Sequence, residues 1–280
     1  MEKIYVVNLR GEREPFSFKK VYKSAKNAGA SNQLALEIAK NIEREIYPGI
    51  STAEIFDKIH NYLSQKAPIS AIRFNLKKAI LNLGPTGFPF EKFIAKVFQS
   101  QGFKVKTNLF IQGASKIKYE IDFIAKKDNL FYIGECKYHN LPGGRVDLQV
   151  ALANFARFLD IKEGKTLNSN FNYKSILVTN TKFTTQAIRY SKYVGVELLG
   201  WKYPMSQSLE KIIEENKLYP ITILPSINSY LAHLFIERKI ILVKDIFKID
   251  PEKFSKENNL SLNKIIKIYQ EAKLLLQNGQ

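Results

Sequence analysis

Cysteine is almost missing from this chain: Cys136 stands alone, so no internal disulfide can form and a cysteine-rich zinc site is excluded. Histidine is nearly as scarce, at three residues, so any metal is expected to be a hard ion held on carboxylates. No apolar run approaches the roughly 20 residues that cross a bilayer. The N-terminus, M-E-K-I-Y-V-V-N-L-R, lacks a signal-peptide core. A cytoplasmic protein without membrane contact is the expectation. Apolar residues are not lacking: the chain is 45% hydrophobic and 12% aromatic, well away from a disordered composition. Its 280 residues suffice for two or three domains.

Acidic residues are also in short supply, 26 against 43 basic ones, for a net charge of +17. Residues 1–84 carry 14 basic and 8 acidic side chains, residues 85–203 carry 18 and 9, and residues 204–280 carry 11 and 9. A basic middle segment suits a polyanion such as nucleic acid, whose affinity comes largely from neutralised phosphates. Lysines solvated across the whole surface would produce the same total without any such partner.

The first residues read as a hairpin, I-Y-V-V-N-L turning at R-G-E-R and returning as E-P-F-S-F. Helices are expected over about 19–29, over 31–47 behind Ser31, over 51–66, where Ser51 and Glu54 have capping-box spacing, and over 69–82. The Gly/Pro cluster L-G-P-T-G-F-P then marks a domain boundary. From residue 88 the pattern alternates. A helix with Phe90, Phe93, Ile94, Val97 and Phe98 on its apolar face is stopped by Gly102, and strands follow near 103–111, 117–125 and 130–138. After L-P-G-G come a helix, the buried strand S-I-L-V-T-N, a helix over 184–194 and the strand V-E-L-L-G-W, an α/β order with an antiparallel hairpin and a later crossover. From about 225 the periodicity is mostly helical.

Charge interrupts two of these strands: Asp122 lies in I-D-F-I-A, and Glu135 and Lys137 lie in F-Y-I-G-E-C-K-Y. Asp128-Asn129 makes the simplest two-residue turn between them. Opposed residues then have numbers summing to 257, which sets Asp122 against Glu135 on one face with Lys137 pointing the same way. A wider K-K-D-N loop would make Glu135 a diagonal neighbour and leave the shared face unchanged. Opposed carboxylates repel unless a proton or cation lies between them, and Mg²⁺ meets that need with few protein ligands. Such an ion stabilises charge on a phosphodiester, and a neighbouring lysine can orient water or neutralise an oxyanion. An Asp–Lys–Glu ion-pair network on a half-exposed sheet is the purely structural alternative.

D-x(12)-E-C-K on a hairpin, behind a helix bearing Glu91, resembles the PD-(D/E)xK restriction-endonuclease-like fold, and within it the Mrr-like branch. The resemblance spans about 86–203 and includes F-E-K-F-I-A-K-V-F-Q-S-Q-G-F-K-V, Y-I-G-E-C-K-Y-H-N, L-V-T-N-T-K-F-T-T-Q-A and V-E-L-L-G-W, with I-D replacing the namesake P-D. It implies Asp122 and Glu135 as ligands of Mg²⁺ (or Mn²⁺), the Cys136 carbonyl as a third ligand, Lys137 as catalytic lysine, Glu91 as an outer acid and Gln149 at a place where related nucleases often carry a site glutamine. Residues 4–84 look like an ATP-cone in V-V-N-L-R-G-E-R-E-P-F-S-F-K-K-V and I-S-T-A-E-I, which implies ATP or dATP as an allosteric ligand contacted by Glu14, Lys20 and Thr52; Asn8-Leu9 replaces the usual Lys-Arg pair before the glycine. The tail faintly resembles helix-hairpin-helix units whose hairpin glycines are replaced at Lys239-Ile240 and Asn259-Leu260.

The expected architecture is therefore α/β: a restriction-endonuclease-like mixed-sheet core over 85–203, preceded by a small, mostly helical ATP-cone with an N-terminal hairpin over 1–84 and followed by a helical region over 204–280. The resemblance implies a metal-dependent endonuclease acting on double-stranded DNA in restriction of foreign or modified DNA, with two-strand cleavage favouring a homodimer. A non-catalytic, nucleotide-responsive DNA-binding regulator on the same fold, and a nuclease acting on RNA, remain open beside it.

Overall fold

A computed structural model describes residues 4–164, 167 and 171–277. Its contacts divide the chain into two units. One comprises residues to Ala79, Thr222–Asn228 and the chain from Ile246; the other comprises Ile80–Ile221 and Ser229–Asp245. The C-terminal stretch is thus shared out between both.

In the first unit, β1 (Tyr5–Val7) pairs antiparallel with β2 (Arg13–Pro15), setting Val6 against Glu14. Asn8 closes the turn between them: its side-chain oxygen accepts from the N–H groups of Arg10 and Glu12, and its amide donates to the Glu12 carboxylate. Asn suits this role because its short amide bonds its own backbone neighbours. Helices α1 (Phe18–Asn27), α2 (Asn32–Glu45) and α3 (Thr52–Lys66) start at Ser17, Ser31 and Ser51, each hydroxyl accepting a backbone N–H three residues on. The capping box at Ser51 is only half made, because the Glu54 side chain takes a hydrogen bond from the Tyr47 hydroxyl at 2.8 Å. The helix expected over 69–82 is two, α4 (Pro68–Phe74) and α5 (Leu76–Leu81), parted at Asn75, whose amide lies 2.9 Å from His60 Nε2. Ala25, Ala35, Ile38, Ile42, Ile50 and Leu63 form the fully buried centre of this unit. The same unit holds α11 (Pro251–Glu257) and α12 (Leu262–Gln277).

In the second unit, α6 (Phe88–Ser100) precedes β3 (Lys104–Gln112), β4 (Lys118–Lys127) and β5 (Leu130–Lys137). The chain continues as β6 (Arg145–Val146), α7 (Leu148–Glu163), β7 (Asn172–Thr179), β8 (Lys182–Phe183), α8 (Thr185–Val194) and β9 (Glu197–Leu199). The five-stranded sheet has the order β3-β4-β5-β7-β9, antiparallel across its first three strands and parallel across its last three. This is the mixed sheet that the alternating sequence pattern implied. The β4–β5 turn is Asp128-Asn129, with Asp128 at φ 50° and Lys127 paired with Leu130, and the paired numbers sum to 257. Short β6 and β8, absent from the sequence reading, form a parallel pair of their own.

Helices cover both faces of the sheet. On one face Phe98 of α6 packs against Phe123 and Tyr132, with ring centroids 5.0 and 6.0 Å apart. Gly134, paired with Phe123, is glycine for steric reasons: a Cβ there would lie 2.2 Å from the Phe123 ring. On the other face Phe158 and Ile161 of α7 pack with Ile133. α9 (Leu209–Glu215) and α10 (Ser229–Glu237) complete the unit.

The two turns that lack hairpin glycines still adopt left-handed backbone, with φ 63° at Lys239 and 51° at Asn259. Each follows a helix end closed by a six-to-one hydrogen bond, Ile240 N–H to Phe235 C=O at 2.8 Å and Leu260 N–H to Ser255 C=O at 2.9 Å. Glycine is thus replaced in identity while its conformation is kept.

Candidate active site

Asp122 lies where β4 leaves its ladder with β5. The last backbone pair is Phe123 with Gly134, so Asp122 and Glu135 are the first positions beyond the paired ladder. In place of a ladder bond, the Cys136 N–H donates to Asp122 Oδ2 at 2.7 Å. The other flank of Asp122 is also irregular. Thr107 pairs with Phe123 and Leu109 with Ile121, while Asn108 between them has φ 55° and stands outside the ladder. Sparsely populated backbone of this kind persists only where its surroundings enforce it, and asparagine tolerates it best.

Phe123 and Gly134 face α6, whereas Ile121 and Ile133 pack with Phe158 and Ile161 of α7, so the face alternation of β4 breaks at Asp122, while Glu135, two residues on from Ile133, points toward α7. Arg157 of α7 answers them, its Nη1 lying 3.0 Å from Glu135 Oε2 and donating to the Glu120 carbonyl at 3.3 Å. Lys137, two residues beyond Glu135 on β5, is exposed.

Electrostatics tie Glu91 to the same cluster. Burial, then the charges of Asp122, Glu120 and Glu135, push the Glu91 carboxyl up to about 7. Burial and Glu135 raise Asp122 to about 6, against the pull of the Cys136 N–H and Arg157. Burial and the same carboxylates push the Cys136 thiol well above its ordinary value. Carboxyl groups held this close cannot all ionise cheaply without added positive charge.

A buried polar latch holds the end of β5. Asn180 accepts from the His139 N–H at 2.9 Å and donates to the His139 carbonyl at 2.7 Å. Thr179 donates to the Lys137 carbonyl at 2.7 Å, and the Thr181 hydroxyl lies 3.1 Å from His139 Nδ1. Thr179, Asn180 and Thr181 are all buried. Directly after β5 comes Tyr138, whose hydroxyl donates to the carbonyls of Leu81 at 2.6 Å and Gly84 at 3.0 Å. A histidine engaged on both its backbone and its ring thus helps to fix the strand that bears Glu135 and Lys137.

The donor set bears on which ion could sit here. Among the described residues no group of three or more His, Cys, Asp or Glu side chains has the geometry to hold a metal. A complete protein cage is therefore not built. Two hard carboxylates on adjacent strands do fit Mg²⁺, which keeps several waters and takes one or two carboxylates from the protein.

Of the other residues singled out from sequence, Gln149 is exposed in the first turn of α7, two turns before Arg157. In the first unit Glu14 and Lys20 form an exposed ion pair at 3.3 Å, and Thr52 opens α3 directly after its Ser51 cap. Sequence reasoning passed over Arg157, Asn180 and Asn108. Only Arg157 had left a local trace, as the sole charged residue between 148 and 159 in a helix otherwise apolar or amide-bearing.

Known proteins resemble this chain in two blocks. Residues 85–201 match the family model described as restriction endonuclease, and residues 219–276 match the model described as AF1548-like, C-terminal. An uncharacterised protein of Archaeoglobus fulgidus is 35% identical over 184 residues, which is 65% of this chain and 99% of that protein. The crystal structure of AF1548, a protein of unknown function, superposes with a TM-score of 0.58 at 32% identity, covering 68% of this chain and 98% of that one. The restriction endonuclease MspJI in complex with a 27-mer oligonucleotide is 15% identical, with a TM-score of 0.32 that is too low to bear on the fold. Residues 85–201 have a restriction-endonuclease-like fold, and the chain belongs to the AF1548-like family.

Proposed function

We propose that this protein is a metal-dependent DNA endonuclease. The observation that carries the reading is Asp122 at the end of the β4–β5 ladder, its carboxylate accepting the Cys136 N–H at 2.7 Å, with Glu135 and Lys137 on either side of Cys136, inside the stretch that matches the restriction-endonuclease model. Asp122 and Glu135 hold Mg²⁺ or Mn²⁺, and the Cys136 carbonyl is the candidate third ligand. When bound, the ion supplies Lewis acidity and charge neutralisation at the phosphodiester. Lys137 orients the attacking water and neutralises charge developing on the phosphoryl oxygens. Glu91, whose carboxyl is raised to about 7, holds or releases a proton near neutral pH at the margin of the site, and Gln149 contacts substrate from the start of α7. The lysines of the middle segment bind the phosphate backbone of double-stranded DNA without reading its sequence. ATP or dATP bound near Glu14, Lys20 and Thr52 regulates the activity, a homodimer cuts both strands, and the biological role is restriction of foreign or modified DNA.

The test is incubation of the full chain with supercoiled plasmid and Mg²⁺ or Mn²⁺, with and without ATP or dATP, beside Asp122→Ala and Lys137→Ala variants. Metal-dependent nicking is expected, falling at least about a hundredfold in each variant, and a nucleotide effect should disappear in Lys20→Ala. Tight, salt-sensitive binding without cleavage of plain, modified or branched DNA, unchanged in the variants, would instead identify a non-catalytic DNA-binding regulator. Cleavage of RNA in preference to DNA would reassign the substrate.

A further inference from the structure

Arg157 stands where a positive charge is most wanted. Its guanidinium meets Glu135 at 3.0 Å, with the two side chains 24% and 23% exposed, shielded more than surface pairs such as Lys20 with Glu14, at 69% and 37%. It also helps to hold Asp122 down against burial and Glu135, and it binds the Glu120 carbonyl. The element presenting it is well anchored: Asn154, one turn earlier, is buried and donates to the Ser175 hydroxyl at 2.8 Å, and Phe158 and Ile161 lie in the core. A side chain delivered from such a helix is a fixed counter-charge, unlike a lysine at the end of a flexible stem.

We propose that Arg157 is the resident counter-ion of the carboxylate pair and competes with the divalent cation for Glu135. This rests on the reading that Asp122 and Glu135 hold that cation. A guanidinium and a divalent ion on one carboxylate repel each other at hydrogen-bond distance, so one displaces the other. Entry of the ion frees the Arg157 fork, which keeps the Glu120 carbonyl within reach and matches a phosphate oxygen pair in geometry and charge. The metal-free site is thereby held assembled, and the same arginine becomes available to the DNA backbone only when the ion is in place. Arg157 acts here through Glu135, as a positioning residue.

The decisive measurement is Mn²⁺ binding to the full chain without nucleic acid, by titration calorimetry and by the electron paramagnetic resonance of free Mn²⁺. It compares wild type with Arg157→Ala, Arg157→Gln, Glu135→Gln, Asp122→Asn and the Arg157→Ala/Glu135→Gln double variant, with folding verified by circular dichroism. Arg157→Ala and Arg157→Gln should bind Mn²⁺ roughly tenfold more tightly than wild type, equivalent to about 1.4 kcal/mol. Glu135→Gln should abolish binding, and the double variant should match it, since the gain runs through Glu135. A merely structural arginine would give unchanged or weaker binding in both Arg157 variants while Glu135→Gln still abolished it. That result overturns the competition and leaves the metal site standing. Mn²⁺ binding that is absent from wild type, or indifferent to both Glu135→Gln and Asp122→Asn, overturns the metal reading itself and this proposal with it. If Arg157→Ala does not fold, Arg157→Gln, which keeps length and hydrogen bonding, decides the matter alone.

Discussion

Asp122 and Glu91 hold protons more tightly in the folded chain than their ordinary values of 3.8 and 4.5 would allow, titrating at about 6 and about 7. A raised carboxyl stabilises the fold while it is protonated. Its contribution is fully present below the unfolded-state value and lost as pH rises through the folded one. The melting temperature of the metal-free protein should therefore fall between about pH 4 and pH 7 from these two groups, and Asp122→Asn, which cannot ionise, should flatten that fall. Saturating Mg²⁺ should flatten it too, because the cation binds the ionised forms and opposes their repulsion. Melting curves across pH, with and without Mg²⁺, measure this directly. An unchanged slope in Asp122→Asn would mean that the carboxyl cluster does not carry the linkage. The charges that create the cluster were visible in the strand sequences, because acids in an apolar run of period two have nowhere bland to go. Arg157 was not visible as their partner, since nothing within α7 specifies what the helix faces.

Strand β5 brings the site together, and its two ends are held differently. At its start the turn Asp128-Asn129 sets the register by local chemistry, which is why a sum of 257 could be written from the sequence. At its far end the hold is tertiary: Asn180 makes a reciprocal pair of hydrogen bonds with the backbone of His139, 41 residues earlier. Burial and the nearby Lys137 keep the His139 ring below its usual pKa, so it serves as a neutral member of that latch. Asn180→Ala should leave the His139 N–H and C=O without those partners and cost about 1–3 kcal/mol for each group that water cannot reach. Urea unfolding of the full chain reads that loss. Slower cleavage at temperatures where the variant is still folded would show that the latch also positions Lys137. A loss within a few tenths of a kcal/mol would mean that water replaces the side chain. The split of the expected helix over 69–82 belongs to this scale as well: propensity runs through Asn75, and only its meeting with His60 from α3 marks the break.

Over the whole molecule, charge is the property that reaches furthest. The stretch matching the restriction-endonuclease model lies within residues 85–203, the segment with the largest positive excess, while the AF1548-like C-terminal block lies where basic and acidic residues nearly balance. Binding of a DNA duplex should weaken steeply with salt, the slope of log affinity against log salt being about −0.9 per phosphate neutralised. Lys137→Ala should reduce that slope by no more than about one. A salt-insensitive affinity would count against phosphate-dominated binding. Neither matching family model reaches residues 1–84, which hold the N-terminal hairpin and the helices α1 to α4. The last two helices return to pack in the same unit as those N-terminal helices, where Ser226 donates to the Glu271 carboxylate. Charge and periodicity along the chain hold no record of that return.

What the sequence by itself determined was local. The strand hairpin and its turn, the serine caps of α1 to α3, the acids that interrupt the apolar runs of β4 and β5, and the excess of positive charge are all written within a few residues of where they act. Tertiary structure alone decided which helix residue answers the acids, which side chain latches β5, and where the ladder breaks at Asn108. It also decided that the C-terminal stretch is shared between two units. Turns, caps and the strand period arise from covalent neighbours, whereas an ion pair between α7 and β5, or a bond from Asn180 to His139, exists only once packing has brought distant segments together. Burial then made the site chemically distinctive, because a carboxyl removed from water and set beside another no longer titrates as the free side chain does.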